Sequence, residues 1–376
     1  MSWFRKKHKN NSVPVQTASS GRSVHPFASI LNYSPKRSYE KQLYRSLRES
    51  VPVIDAAIYK IIRLVGGFHV VCNDPGTQKK LEAFLNSIRV NSVSFGIESF
   101  ISIYLEQLLT YGTAIGEIVL GKDGSICALY NSDPDDVELI CKDGPLDVRI
   151  YAADEYGSLK EVQFPQLILC SAAMPEAGGV YGTSILKGLP FVTDILLKIF
   201  NAVGTNWDRV GNVRFAVTYK PQESDRNFSR ERVMMIADEW SKAMKSREPR
   251  DFITVGDVSI KAIGADNQIP DSEVPVRQIM EQIVAKLSIP PFLLGLNWST
   301  SERMSSQQAD ILTSELEYYR RLLEQPVRKI CDTFLSIEGI SEDFTIEWDA
   351  INLQDEVELA RARLYNAQAD NLTGKE

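Results

Sequence analysis

Ile289-Pro290-Pro291-Phe292-Leu293-Leu294-Gly295 stands between two helical patterns and decides how the chain is read. Upstream, Val276, Ile279, Ile283 and Leu287 share one face of a helix over Glu273–Leu287. Two consecutive prolines offer no N–H, and each ring crowds the preceding turn, so the helix ends here and the chain turns sharply. A polar loop, Asn297 to Ser306, leaves the corner. The longest helical pattern of the protein then runs from Gln307 to Ile337, with Leu312, Leu316, Tyr319, Leu323, Val327, Ile330 and Phe334 on one stripe. Pro326 inside that pattern predicts a kink near Leu322. The corner leaves apolar side chains exposed unless another surface covers them.

Composition narrows the classes. The chain has 376 residues, enough for two or three folding units at ~150 residues each. Hydrophobic residues make up 44% and charged residues 24%, as in ordinary globular proteins. A net charge of -7 argues against a protein that coats nucleic acid by general attraction. Cys72, Cys127, Cys141, Cys170 and Cys331 form no CxxC pair, which points to thiols in a reducing compartment. Of the three histidines only His69 lies near a cysteine, Cys72, and that pair reads as core, so neither metal nor cofactor is expected. No apolar run reaches the ~18 residues of a membrane span. The basic start, Met1 to Asn10, is followed by no apolar stretch and is not a secretory signal.

In chain order, residues 1–40 are polar and basic and read as an arm. Ser38 to Val65 is helical, with Ile54, Ile58, Ile61 and Val65 on one face, and Phe68–Cys72 is a strand. Helical patterns follow over Gln78–Ile88 and Ser94–Thr110, the second stopped by Gly112. The period then falls to two. Ala114–Leu120 and Ile126–Tyr130 read as a hairpin, with short strands at Val137–Cys141, Val148–Ala152 and Gln163–Leu169. A long helix runs from Ser184 to Arg209 with Leu186, Leu189, Leu196, Ile199, Phe200 and Val203 on its stripe. Residues 212–265 read as an insert: a strand at Val213–Tyr219, a helix capped by Ser229, and a hairpin of Phe252–Val255 with Val258–Ile263. Its cations are balanced by acids, which marks a protein contact better than a nucleic-acid groove. Phe344–Trp348 is a strand that could complete the earlier sheet, and Leu353–Ala367 a last helix.

Catalytic signatures are missing. The sequence has no G-x-S-x-G, Walker A, H-E-x-x-H or C-x-x-C, and Gly178-Gly179 fits no phosphate-binding loop. Asp133-Pro134-Asp135-Asp136 lacks the Gly and closing Glu of a calcium loop and reads as a solvated turn. The competing class is a DNA-processing enzyme with a cryptic carboxylate metal site. It would need the fold to bring Glu117 to the Asp133–Asp136 cluster. A structural or assembly role is the better expectation.

The order of these features is specific. Tyr181-Gly182-Thr183-Ser184 announces the first long helix, and Ile289–Gly295 precedes the longest. Asn131–Val137 follows the first hairpin. In these motifs, over roughly residues 45–365, the chain resembles the portal proteins of tailed bacteriophages. The resemblance implies an α+β subunit and a division of the chain into an arm (1–40), an α+β wing (41–183), a stem helix (184–211), a small α/β clip insert (212–268), a second stem helix (269–289), a tunnel loop (290–306), a long kinked wing helix (307–340), and a closing strand with a short C-terminal helix (341–376). It implies a homo-oligomeric ring, a dodecamer in assembled heads, at one capsid vertex of the virion, assembled in the host cytoplasm. Double-stranded DNA would pass through it in packaging and genome ejection. The implied partners are the terminase large subunit, the head–tail adaptor, and the major capsid and scaffolding proteins, with no enzyme activity and no membrane contact. The implied DNA-facing residues are Asn297, Trp298, Ser299, Thr300, Ser301, Glu302, Arg303 and Met304. The implied clip contacts are Arg226, Arg230, Arg232, Lys242, Lys245, Arg247 and Arg250. Portal proteins usually continue past the closing strand into a helical crown, for which this chain has only Asp355–Glu376.

Overall fold

A computed structural model of the chain describes residues 36–144, 146–153, 158–211, 214–220, 229–245, 257–263, 272–296 and 302–351. The chain divides into two compact units, Met1–Thr193 with Met280–Glu376, and Asp194–Ile279. Helices α1 (Lys36–Ser50) and α2 (Pro52–Val65) open the first unit. The helical pattern expected from Ser38 is thus two helices, broken at Val51, whose extended backbone precedes Pro52. The arm expected over residues 1–40 falls outside the described residues up to position 35.

Strand β1 (Phe68–Cys72) follows, then α3 (Pro75–Ser87). Asp74 caps α3, accepting from the Thr77 N–H at 2.7 Å, with Pro75 in the first turn where a missing N–H costs nothing. The short strands β2 (Arg89–Val90) and β3 (Ser94–Phe95) come next, and α4 spans Ile97–Tyr111. The helix expected from Ser94 therefore begins three residues late. Ser94 and Phe95 pair with β2 across a turn with Asn91 at φ 50, and Gly96 at φ 85 redirects the chain into α4. Gly112, at φ 78, ends α4 as read from the sequence, and its N–H donates to the Leu108 carbonyl.

Strands β4 (Thr113–Leu120), β5 (Ile126–Asn131) and β9 (Ile168–Ala172) build a five-stranded sheet in the order β3-β2-β5-β4-β9. Strand β4, paired on both sides, is buried along nearly its whole length, which is why Ala114–Val119 is apolar apart from Glu117. Gly116 leaves room for the Phe100 ring of α4, which a Cβ there would meet at 2.6 Å. The expected strand Gln163–Leu169 starts later, because Pro165 opens a 3-10 turn over Pro165–Leu167. Strands β6 (Val137–Cys141), β7 (Val148–Ala153) and β8 (Leu159–Glu161) form a separate three-stranded antiparallel sheet.

The long helix α8 runs from Glu302 to Ile337 without a break at Pro326. Leu312, Leu316, Leu323, Val327 and Ile330 are at most 1% exposed and form its core stripe. Phe334 lies at the margin and stacks on Phe84, with ring centroids 4.1 Å apart. Strand β12 (Phe344–Trp348) pairs antiparallel with β1, so it closes a two-stranded ribbon and not the larger sheet. Buried Arg320 of α8 ties these parts together. Its guanidinium donates to the Val65 carbonyl at 2.9 and 2.6 Å and to the Asp349 carbonyl at 2.7 Å, and lies over the Trp348 ring. A carbonyl at a helix C-terminus suits a cation.

Helix α5 (Leu189–Gly211) leaves the first unit at Thr193, with Pro190 in its first turn. The second unit holds the rest of α5, β10 (Arg214–Lys220), α6 (Ser229–Lys245), β11 (Asp257–Ile263) and the start of α7 (Glu273–Leu287). Strand β11 pairs antiparallel with β10, Arg214 opposite Ile263. The partner expected for it, Phe252–Val255, lies outside the described residues. The helix expected over Leu353–Ala367 also lies outside them.

Candidate functional site

Two motifs carried the sequence reading, and the structure gives each a physical job. Ile289–Gly295 is a corner, buried at Ile289 and Pro290 and ending in a 3-10 turn over Pro291–Leu294. Ile289 is 2% exposed, the Leu293 N–H donates to the Pro290 carbonyl at 3.1 Å, and the turn packs against α2. Gly295 closes it at φ 75, a left-handed conformation that costs glycine nothing. The apolar exposure expected around this corner is confined to Phe292, 42% exposed, with Leu293 and Leu294 half-buried.

Tyr181-Gly182-Thr183-Ser184 crosses the end of α4 at backbone contact. A Cβ on Gly182 would lie 2.0 Å from the Gly112 carbonyl oxygen and 2.5 Å from Ala173, so the crossing exists only between glycines. The Gly182 N–H donates to Thr113 Oγ1 at 2.9 Å, and the Thr183 N–H to the Ala173 carbonyl at 2.7 Å. The buried Ser184 hydroxyl donates to the Thr110 carbonyl at 2.6 Å, one of the carbonyls left over at the end of α4. It also accepts from the Leu186 N–H at 3.0 Å. Tyr181 Oη accepts from the Leu139 N–H at 2.7 Å, which brings in β6. These bonds fix the chain five residues before α5 starts.

Helix α5 shows where such positioning leads. Its stripe starts buried at Leu196, 1% exposed, and then opens to solvent: Phe200 is 50% exposed and Trp207 62%. Val203 between them is half-buried. Offsets of four, three and four residues keep these side chains on one face. Helix α6 likewise presents Val233, Met234 and Met235, 48%, 62% and 69% exposed. Exposed apolar side chains in such number offer surface for contact with another molecule.

Of the residues expected to face DNA, Asn297 to Ser301 lie outside the described residues. Glu302, Arg303 and Met304 form the first turn of α8, which begins five residues before the expected Gln307, and Met304 is 49% exposed. Of the expected clip contacts, Arg226, Arg247 and Arg250 lie outside the described residues. Arg230, Arg232, Lys242 and Lys245 are on α6, and Arg230 is exposed. The resemblance implies contacts on these cations and names none of the exposed Val233-Met234-Met235. Three consecutive apolar residues cannot share one buried helix face, and that was the available signal.

The carboxylates of the competing enzyme reading gather at one end of the β4–β5 hairpin. The Tyr130 phenol is pushed up by burial first, then by the charges of Asp136, Asp133 and Glu117. Glu117 is 1% exposed. The Asp133 carboxylate accepts from the Asp135 N–H at 2.9 Å, closing the turn on itself. Among the described residues no three His, Cys, Asp or Glu side chains come together as a metal site.

No protein-family model and no curated protein matches the sequence. Solved structures share its fold. A chain in the neck of a native GTA particle, computed with C12 symmetry, aligns over 89% of this chain and 89% of its own, at TM-score 0.62 and 14% identity. A chain of the virion of the native gene transfer agent particle aligns over 90% of both, at TM-score 0.63 and 14% identity. An HK97-family phage portal protein from Corynebacterium diphtheriae aligns over 75% of this chain and 86% of its own, at TM-score 0.40 and 12% identity, too loose a likeness to weigh. The mixed helix-and-sheet class read from the sequence is the class observed, and the fold is shared with chains of gene transfer agent particles.

Proposed function

We propose that this chain is a portal-type subunit, copies of which close a ring at a single vertex of a phage capsid. The observation that carries the reading is the fold shared over nine-tenths of both chains with a protein in the neck of a particle computed with twelvefold symmetry. The open stripe of α5 supports it independently, because a ring joins each copy to the next through two different surfaces and needs apolar faces that a single copy leaves uncovered. In this reading the first unit supplies the wing, α5 and α7 the stem, the β10–α6–β11 insert the clip, and Asn297–Ser301 with the first turn of α8 the side toward a central channel. Double-stranded DNA crosses that channel during packaging and ejection. The net charge of -7 suits a conduit that must not hold its cargo. The clip receives the terminase large subunit and then the head–tail adaptor, and the wing meets capsid and scaffolding proteins. The subunit acts as a structural part and not as an enzyme.

Native mass measurement and electron microscopy of the purified chain test this. The expected result is a closed ring of about a dozen copies, or a monomer that forms one as concentration rises. A chain that stays monomeric at every concentration would overturn the reading.

A further inference from the structure

The first unit carries a groove of about 820 Å³ to which neither 181–184 nor 289–295 contributes and the Asn131–Val137 stretch does. Helices α1, α2 and α4 wall it, together with the turn after β5. On its floor Arg48 is held by Asp55 at 2.7 Å and Glu106 at 2.7 Å, so two carboxylates face one guanidinium. Arg45 donates to Tyr111 Oη at 3.2 Å. Among the described residues Glu49 and Asp133 complete the charged lining, which there carries four carboxylates against two arginines. Its size is that of pockets that receive ligands, and its acid excess selects a cation-bearing one.

The chain contains a matching segment. Residues 1–35 include Arg5, Lys6, Lys7, Lys9 and Arg22 and not one Asp or Glu, in a protein of net charge -7. They join the described chain at Lys36, the first residue of α1, and Arg45 on the groove wall lies about 13 Å further along that helix. The segment is long enough to reach the groove of its own copy.

We propose that the groove is the seat of the chain's own N-terminal segment, with the cations of Arg5–Lys9 meeting Glu49, Asp133 and the excess charge beside Arg48. This goes beyond the ring reading and does not require it. A nucleic acid is the other natural partner for such a basic segment, and the groove's acid excess argues against that partner here.

Zero-length carbodiimide coupling of the full-length chain, mapped by mass spectrometry, tests the proposal. The expected products join Lys6, Lys7 or Lys9 to Glu49, Asp55, Glu106 or Asp133. The native pair Lys41–Asp135, 3.5 Å apart, serves as internal reference. In the double variant Glu49→Gln, Asp133→Asn the remaining segment–groove products should fall about fivefold while the reference holds. Asparagine keeps the side-chain oxygen that accepts from Asp135. Mixing isotope-labelled and unlabelled chains shows which copy supplies the segment, and either origin supports the proposal. Absence of these products, their persistence at full yield in the variant, or protection of the segment's lysines only on adding double-stranded DNA would overturn it.

Discussion

Gly182 and Cys331 are residues whose roles depend on what the fold places beside them. Replacing Gly182 with Ala drives a Cβ to 2.0 Å from the Gly112 carbonyl oxygen, and backbone cannot rotate away as a side chain tip would. The cost should be about 3 kcal/mol or more in urea unfolding. Gly204 is the control: it lies inside α5, and a Cβ there meets nothing within 4 Å. Gly204→Ala should instead stabilise by about 0.5–1 kcal/mol, since alanine loses less backbone freedom in a helix. Equal losses from both variants would contradict the crossing. Cys331 is fully buried, and burial pushes its thiol up to about 12. The unfolded thiol, with an ordinary value of 9.0, ionises first, so stability should fall as pH rises above that value. At pH 8 iodoacetamide should label exposed Cys141 well before Cys331, and comparable native labelling rates would count against the burial.

At the scale of elements, α5 is the helix whose sequence and surroundings disagree within one subunit. Its stripe is as regular as that of α8, yet α8 buries its stripe and α5 leaves Phe200 and Trp207 open. The double variant Phe200→Glu, Trp207→Glu should therefore fold with unchanged far-ultraviolet circular dichroism but fail to form rings in native mass spectra. A chain that unfolds instead would show that the stripe serves the subunit's own core. Periodicity located both helices. It could not say which stripe meets its own chain, because the 3.6-residue pattern records only that some apolar partner exists. The strand pairings were less legible. Phe344–Trp348 was read as a strand, but its partner β1 lies far back in the sequence, and strand 257–263 pairs with β10 across an intervening helix. A strand's period marks which face is covered and carries no address for its neighbour.

At the scale of the whole molecule, the proposed ring sets different expectations for the loop and for the stem. In the proposed ring a loop toward the channel should be dispensable for ring closure, whereas the stem face should not. Replacing Trp298 with Ala should leave the ring intact by electron microscopy and lower the amount of DNA packaged per head. A variant that no longer forms rings would remove residues 297–304 from the channel and return them to the interface. The two motifs that first suggested a portal subunit, 181–184 and 289–295, both serve corners of the first unit. Corners tolerate few residue types, whereas the surfaces between them need only a suitable pattern.

The sequence by itself determined the local events: where helices stop at Gly66, Gly112 and Pro290, which stripes are apolar, and that residues 1–35 are basic without a single acid. These follow from backbone sterics and side-chain chemistry within a few residues. The tertiary structure alone decided the rest. It joined β1 to β12 and buried Arg320 between Val65 and Asp349. It pressed Gly182 onto Gly112, and it left Phe200 and Trp207 uncovered. Those outcomes depend on which distant segments meet, and their energies exist only once the contacts have formed.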